Sequence, residues 1–287
     1  MKTLSKIPQI REAAKAEREM GKSIGFVPTM GYFHQGHLSL MKAARRECDT
    51  VVISIFVNPT QFGPTEDFAS YPRDVERDKK MAEAVGVDYA FIPSVEEIYP
   101  DGYSTYVDIE GSLTKGLCAA DRPGHFRGCA TVVAKLFNIV QPDKAYFGQK
   151  DVQQAIIMKR MVDDLNIPVE IVVCPIVREK DGLAMSSRNV YLSPEERKAA
   201  PVLYKALRKA EEMVGAGERK APAIRKTMED IIRSEPLANI EYIAICDTTN
   251  LEEVEEIKDE TLIALAAKFG KARLIDNTII RLKTAKN

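Results

Sequence analysis

Apolar and polar positions fall in alternating blocks along the first two thirds of the chain. Ser23–Thr29 and Thr50–Asn58 are nearly continuous apolar runs that close on Pro, Thr or Asn, and Asp88–Ser94, Lys144–Phe147 and Val169–Val177 follow the same style. Between them, His37–Glu47, Arg73–Val85, Ala130–Val140 and Val152–Leu165 repeat apolar residues at the spacing of a helix with one buried face. A strand covered on both faces has no solvated side to show, so it reads as an unbroken apolar run. The alternation predicts an α/β fold, a Rossmann-like doubly wound parallel sheet with ligands at the carboxyl ends of its strands. The first 21 residues read as a charged amphipathic helix.

The rhythm changes at residues 178–189, a polar stretch with the sequence REKDGLAMSSRN. Ser193-Pro194-Glu195-Glu196 then marks a helix start, with Ser as cap and Pro in the first turn. Helical patterns over 195–215 and 220–234 precede short alternating strands at Ile240–Cys246, Thr261–Lys268 and Ala272–Asp276. The expected organisation is a Rossmann-like domain over 1–177 and a smaller α+β domain over 178–287, with the polar stretch as hinge.

Composition narrows the partners. Among 287 residues, 41 Lys and Arg balance 42 Asp and Glu, which leaves no global field to gather nucleic acid or anionic lipid. No apolar run approaches the ~20 residues that span a bilayer, and the amino terminus carries no apolar signal core. Five scattered cysteines with no CxxC pair argue against a disulfide framework or a zinc knuckle. The expectation is a cytoplasmic protein with no membrane and no nucleic-acid partner.

Only three histidines occur, and two of them, His34 and His37, lie in the segment Pro28-Thr29-Met30-Gly31-Tyr32-Phe33-His34-Gln35-Gly36-His37. This segment runs from a buried strand through a turn into a helix, whose first N–H groups and about half a positive charge make a ready anion site. Gly31 and Gly36 are expected to let a nucleotide approach the backbone. Downstream, Met185-Ser186-Ser187-Arg188 supplies two hydroxyls and a guanidinium fork suited to a triphosphate. Gln61 in NPTQFG offers both donor and acceptor to a small polar substrate, and Lys150 in FGQKD stands at another strand end. Gly21-Lys22-Ser23 is no phosphate loop, because it follows a helix and precedes a strand, the reverse of the required order.

The HxGH turn and the later MSSR resemble the paired signatures of adenylyl-transferring enzymes related to class I aminoacyl-tRNA synthetases. With PTMGYFHQGH, FVNPTQFGPTEDFASYPRD, RPGHFRG, FGQKDVQQ and DGLAMSSRN, spread over residues 28–189, the chain more specifically resembles the pantothenate synthetase (pantoate–β-alanine ligase) family. That resemblance implies ATP- and Mg2+-dependent condensation of (R)-pantoate with β-alanine through pantoyl adenylate, with release of AMP and pyrophosphate, and a homodimer. It implies ATP contacts from Met30, Gly31, Tyr32, Phe33, His34, Gln35, Gly36 and His37. The nucleotide site would continue through Gly148, Gln149, Lys150, Asp151 and Val177, and be closed by Met185, Ser186, Ser187 and Arg188. His34, His37, Lys150 and Arg188 would be the catalytic groups. Gln61 and Gln154 would hold pantoate, with Tyr71 and His125 nearby. Asp78 would contact Mg2+, beside Arg77 where the family often has a second acid.

The chemistry asks for those residue types. An attack of carboxylate on the α-phosphorus builds negative charge that fixed donors stabilise by roughly 2.7–4 kcal/mol each. A nucleotidylyltransferase, an aminoacyl-tRNA synthetase fragment and a nucleotide-sensing binding protein are the competing readings. Against them stand the joint presence of FGQKD and NPTQFG, the neutral charge balance, and the full complement of Lys150, both histidines and Arg188.

Overall fold

The computed structural model describes residues 1–64 and 66–282; Thr65 of the FVNPTQFGPTEDFASYPRD segment and residues 283–287 of the expected second domain lie outside the described residues. The chain forms two compact units, one of Met1–Glu110, Arg122–Gln149 and Gln154–Pro175, the other of Gly111–Asp121, Lys150–Gln153 and Ile176–Asn287.

The first unit is built on six strands: β1 (Lys2–Leu4), β2 (Ile24–Thr29), β3 (Thr50–Ile55), β4 (Tyr89–Phe91), β5 (Lys144–Gly148) and β6 (Glu170–Cys174). They form one sheet in the order β1-β4-β3-β2-β5-β6, and every neighbouring pair is parallel. From β2 the chain adds β3 and β4 outward on one side, then returns to lay β5 and β6 on the other. The reversal puts a topological switch point between the carboxyl ends of β2 and β5, where open α/β sheets bind their ligands.

The helices that precede and follow these strands are α1 (Ile7–Glu19), α2 (Gln35–Glu47), α3 (Val75–Glu83), α4 (Val95–Ile98), α5 (Cys118–Asp121), α6 (His125–Val140) and α7 (Val152–Asp164). Alternation along the strands divides the core. Val27, Val51, Ile53 and Ile55 pack with Leu38, Met41 and Ala44 of α2 and Ala82 of α3. Phe26 turns the other way and meets Phe137 of α6 edge-on at 6.4 Å between ring centroids.

The second unit contains α8 (Pro194–Ala199), α9 (Val202–Gly215), α10 (Ala221–Arg233), β7 (Asn239–Asp247), β8 (Glu260–Phe269) and β9 (Ala272–Arg281). The strands form an antiparallel sheet in the order β7-β8-β9. Leu203, Leu207, Ile224 and Met228 of the helices share a buried cluster with Ile245, Ile263, Leu265 and Phe269 of the sheet. No helix among the described residues is long and apolar enough to cross a membrane.

Three local expectations change. The amino-terminal stretch is not one helix, because Lys2–Leu4 pairs with Tyr89–Phe91 as an edge strand before α1 starts at Ile7. The pattern over 195–215 breaks into α8 and α9, since Pro201 has no N–H to continue the first helix. The last strand runs through Asp276-Asn277 to Arg281 instead of stopping at Asp276. The helix start at Ser193 holds, its hydroxyl accepting from Glu196 N while the Glu196 carboxylate accepts from Ser193 N at 2.8 Å.

Candidate active site

The segment after β2 folds as a sharp turn onto the start of α2. Gly31 takes φ +85° and Tyr32 φ +53°, left-handed conformations that reverse the chain within two residues. Asp78 holds the reversal from α3. One of its carboxylate oxygens accepts the Tyr32 N–H at 2.6 Å and the other the Phe33 N–H at 2.7 Å, with the side chain 1% exposed. Burial raises the Asp78 pKa above the ordinary carboxyl value, and the two N–H donors oppose that rise. Arg77 closes the turn from outside, donating to Phe33 O at 2.9 Å.

Asp78 therefore stands differently from the expected metal contact. Both oxygens are engaged by backbone, and among the described residues no group of three His, Cys, Asp or Glu side chains could hold a metal ion. Such a donor set leaves a Mg2+ ion here to be held mainly by the nucleotide, with few ligands from the protein. The expected reason for Gly31 also shifts: a Cβ there would lie 3.0 Å from Asp78 Oδ2 and 3.0 Å from Ile55 Cγ2, so its missing side chain makes room for the protein's own carboxylate. At Gly36 a Cβ would fall 2.7 Å from the His34 ring. Gly148, at the end of β5, is the one of these glycines whose Cβ position faces open space.

The two histidines cap the helix reciprocally. His34 is the N-cap, and its Nδ1 accepts from Gly36 N at 3.1 Å, while His37 Nδ1 accepts from His34 N at 3.3 Å. An Nδ1 that accepts cannot carry the proton, so both rings take the Nε2–H tautomer. The rings lie 4.1 Å apart between centroids, making a pair of donors above the helix N-terminus.

Gln61, in a tight turn of Pro59–Gln61 after β3, is 8% exposed. Asn58 donates to its Oε1 at 3.0 Å, and its Nε2 reaches Met30 Sδ at 3.3 Å, so the amide has one fixed orientation and meets the HxGH turn. Asn58, which sequence reading passed over, is nearly saturated: its Oδ1 also accepts from Tyr99 Oη at 2.9 Å and its Nδ2 donates to Gly128 O at 3.1 Å. A buried Asn at a strand end, directly before Pro, was the available signal.

His125 touches Gln61 from α6. Its Nδ1 lies 2.8 Å from Gln61 O and its Nε2 2.9 Å from Arg122 Nη1. A carbonyl only accepts and a guanidinium only donates, so Nδ1 carries the proton and Nε2 accepts. Arg122 is held in turn by Glu66 at 2.8 and 2.5 Å. At Gly128 a Cβ would collide with the backbone of Thr60 and Gln61. Tyr71 is buried against Phe62, ring centroids 5.9 Å apart, and Gln154 lies in the first turn of α7. The first unit thus joins Met30, Gln61 and His125 in one hydrogen-bonded network, while the two capping histidines form a separate pair at the start of α2.

Gly148 and Gln149 belong to the first unit, and the second carries Lys150, Asp151, Val177 and Met185–Arg188. Lys150 and Asp151 lie in the short turn before α7, with Lys150 Nζ 3.0 and 3.1 Å from the two Asp151 oxygens. The polar stretch is not a plain loop: Arg178 and Ala184 face each other in an antiparallel bridge, and Met185 N donates to Val177 O at 3.0 Å. Gly182, at φ +93°, forms the tip, where a Cβ would collide with the Tyr204 ring. Ser186 then caps the tight turn Ser187–Tyr191, its Oγ accepting from Arg188 N at 3.2 Å. Arg197 holds the hairpin from α8, bonded to Glu179 at 2.5 Å and Asp181 at 2.6 Å, and its guanidinium draws the Asp181 carboxyl below the usual range.

The sequence signature of the Pantoate-beta-alanine ligase family matches residues 2–279. The pantothenate synthetase of Acetivibrio thermocellus is 57% identical over 282 residues, covering 98% of this chain and 100% of the relative. Among solved structures, the pantothenate synthetase of Thermus thermophilus superposes with a TM-score of 0.93 at 50% identity, covering 97% of this chain and 99% of that one. The pantoate–β-alanine ligase of Francisella tularensis, crystallised with an ATP compound and β-alanine, reaches a TM-score of 0.81 at 35% identity over 97% of each chain. Agreement over almost the whole length, in sequence and in backbone alike, leaves one conclusion: the chain belongs to the pantoate–β-alanine ligase family.

Proposed function

We propose a division of labour among these residues for the reaction of this family, the ATP-dependent condensation of pantoate with β-alanine. The carrying observation is the reciprocal histidine cap, which turns both Nε2–H groups into donors at the start of α2. ATP lies along Met30–His37 with its phosphates on His34, His37 and the helix N-terminus. Gly148, Gln149, Lys150, Asp151 and Val177 extend the nucleotide site, and Met185, Ser186, Ser187 and Arg188 add donors to the phosphates. Gln61 and Gln154 hold pantoate, with Tyr71 beside them and His125 acting through Gln61. The crystallised relative with an ATP compound and β-alanine supports both substrates.

In the first step a pantoate carboxylate oxygen bonds to the α-phosphorus and the bond to the β-phosphate bridging oxygen breaks. Charge moves onto pyrophosphate, where Lys150, Arg188 and the two imidazole N–H groups stabilise it. In the second, the neutral β-alanine amine attacks the acyl carbon, AMP leaves with the bonding pair, and the amine proton is lost. Mg2+ brought in with ATP would be held mainly by the nucleotide, with few ligands from the protein, and would supply partial neutralisation of the phosphate charge. None of the five cysteines is in a disulfide, which supports a cytoplasmic setting, and a homodimer is the proposed assembly; light scattering reads the latter directly.

ATP–pyrophosphate exchange dependent on pantoate, followed by AMP release on adding β-alanine, tests the assignment. His37→Ala and Lys150→Ala are expected to lower exchange at least a hundredfold with unchanged circular dichroism. Near-normal exchange in either folded variant removes that residue from the phosphate site. Exchange driven by an amino acid in place of pantoate removes the reading of Gln61.

A further inference from the structure

Two buried polar residues outside every motif stand side by side in one strand. Asp276 and Asn277 sit in the middle of β9, in the run Leu274-Ile275-Asp276-Asn277-Thr278-Ile279-Ile280, at 4% and 2% exposure. An ionisable group is seldom buried so fully unless its charge is paired. Asp276 accepts a two-pronged bond from Arg178, Nη1 at 2.6 Å and Nη2 at 2.9 Å, and the Asn277 N–H at 2.8 Å. Arg178 Nη1 also donates to Gly182 O at 3.0 Å, and the guanidinium lies 4.1 Å from the Tyr204 ring centroid. Asn277 Nδ2 donates to Lys150 O at 3.1 Å.

Neighbouring residues of one strand therefore hold two segments that are far apart in the sequence. One is the turn that carries Lys150, the other the hairpin that leads into Ser186–Arg188. Ten register pairs with β8 fix β9 itself, so these anchors sit on a stiff element. We propose that Asp276 and Asn277 are positioning residues for adenylate formation, Asn277 setting the Lys150 turn and Asp276, through Arg178, setting the hairpin that carries Arg188. The proposal rests on the reading that Lys150 and Arg188 serve the triphosphate. Small displacements of phosphate donors cost rate without cost to substrate binding elsewhere.

Separate assays of the two half-reactions test it: pyrophosphate exchange with pantoate, and ligation of preformed pantoyl adenylate to β-alanine. Asn277→Ala is expected to lower the kcat of exchange at least tenfold, with the KM for pantoate and the ligation rate within twofold of the parent. In a Lys150→Ala background the same change should lower exchange no further, because it acts through Lys150. Asp276→Asn should show the same split between half-reactions yet add to Lys150→Ala. Arg178→Lys, which keeps the charge and loses the fork, serves should Asp276→Asn not fold. Equal loss in both half-reactions, or unchanged exchange, overturns the positioning role. Normal exchange in Lys150→Ala alone, beside impaired Asn277→Ala, overturns the reading of Lys150 instead.

Discussion

The turn at residues 30–37 and the hairpin at 177–185 both present short polar segments, and they are held by opposite means. In the turn, a single buried carboxylate takes two backbone N–H groups, and the histidines cap their own helix. The hairpin is held by guanidinium–carboxylate pairs, one with a buried acid at Asp276 and two with the half-exposed acids Glu179 and Asp181. Bonds to backbone fix the path of the chain itself, whereas side-chain ion pairs hold it at a few points and leave part of the clamp open to salt. The turn behaves as part of the core; the hairpin behaves as a clamped appendage.

Arg178→Ala tests the strongest clamp. It strands the Asp276 carboxylate in a buried site, which typically costs roughly 3–5 kcal/mol. Denaturant unfolding should reveal a loss of that order, and a loss under about 1 kcal/mol would show that the hairpin does not depend on the pair. Asp78→Ala comes next. Leaving the Tyr32 and Phe33 N–H groups without acceptors should cost roughly 2–4 kcal/mol, with exchange activity falling more than ligation of preformed adenylate. If ligation falls first, the turn serves the acid and amine more than the nucleotide.

Acid and salt should separate the regions more gently. Asp181 has a folded pKa below its unfolded value because of Arg197, so its contribution is present above the ordinary carboxyl range and is lost as pH falls through the folded pKa. Asp78 has the opposite sign: its raised pKa means ionisation works against folding, so stability declines as pH rises through that value. Asp181→Asn should therefore flatten the acid limb of the stability curve. Arg197→Ala, the smallest effect, should cost no more than about 1 kcal/mol and should vanish in high salt; a salt-insensitive loss would mean that Arg197 acts by packing.

The alternation of apolar runs and helical faces made the parallel sheet readable, because burial on both faces is written into nearly every residue of β2 and β3. The HxGH turn was readable for a similar reason: two of three histidines and two glycines mark one short segment. What escaped were residues whose meaning depends on a distant partner. Lys2–Leu4 has too few residues to show a period, and its strand exists because Tyr89–Phe91 offers an edge. Asp276-Asn277 looked like the end of a strand, since nothing nearby announces Arg178 or the carbonyl of Lys150. Asp78 shows the same limit. Its carboxylate suggested a cation, but the groups it meets are amides contributed by a turn more than forty residues upstream.

The backbone contact at Gly128 has a consequence for how this enzyme can change. Helix α6 rests directly on Thr60 and Gln61 there, with no side chain between them to trim or enlarge. On the proposed role of Gln61 in holding the acid, widening that wall for a bulkier substrate requires sliding an entire helix and everything packed behind it. Single exchanges of amino acids should therefore shrink or blunt the pocket far more readily than they expand its repertoire.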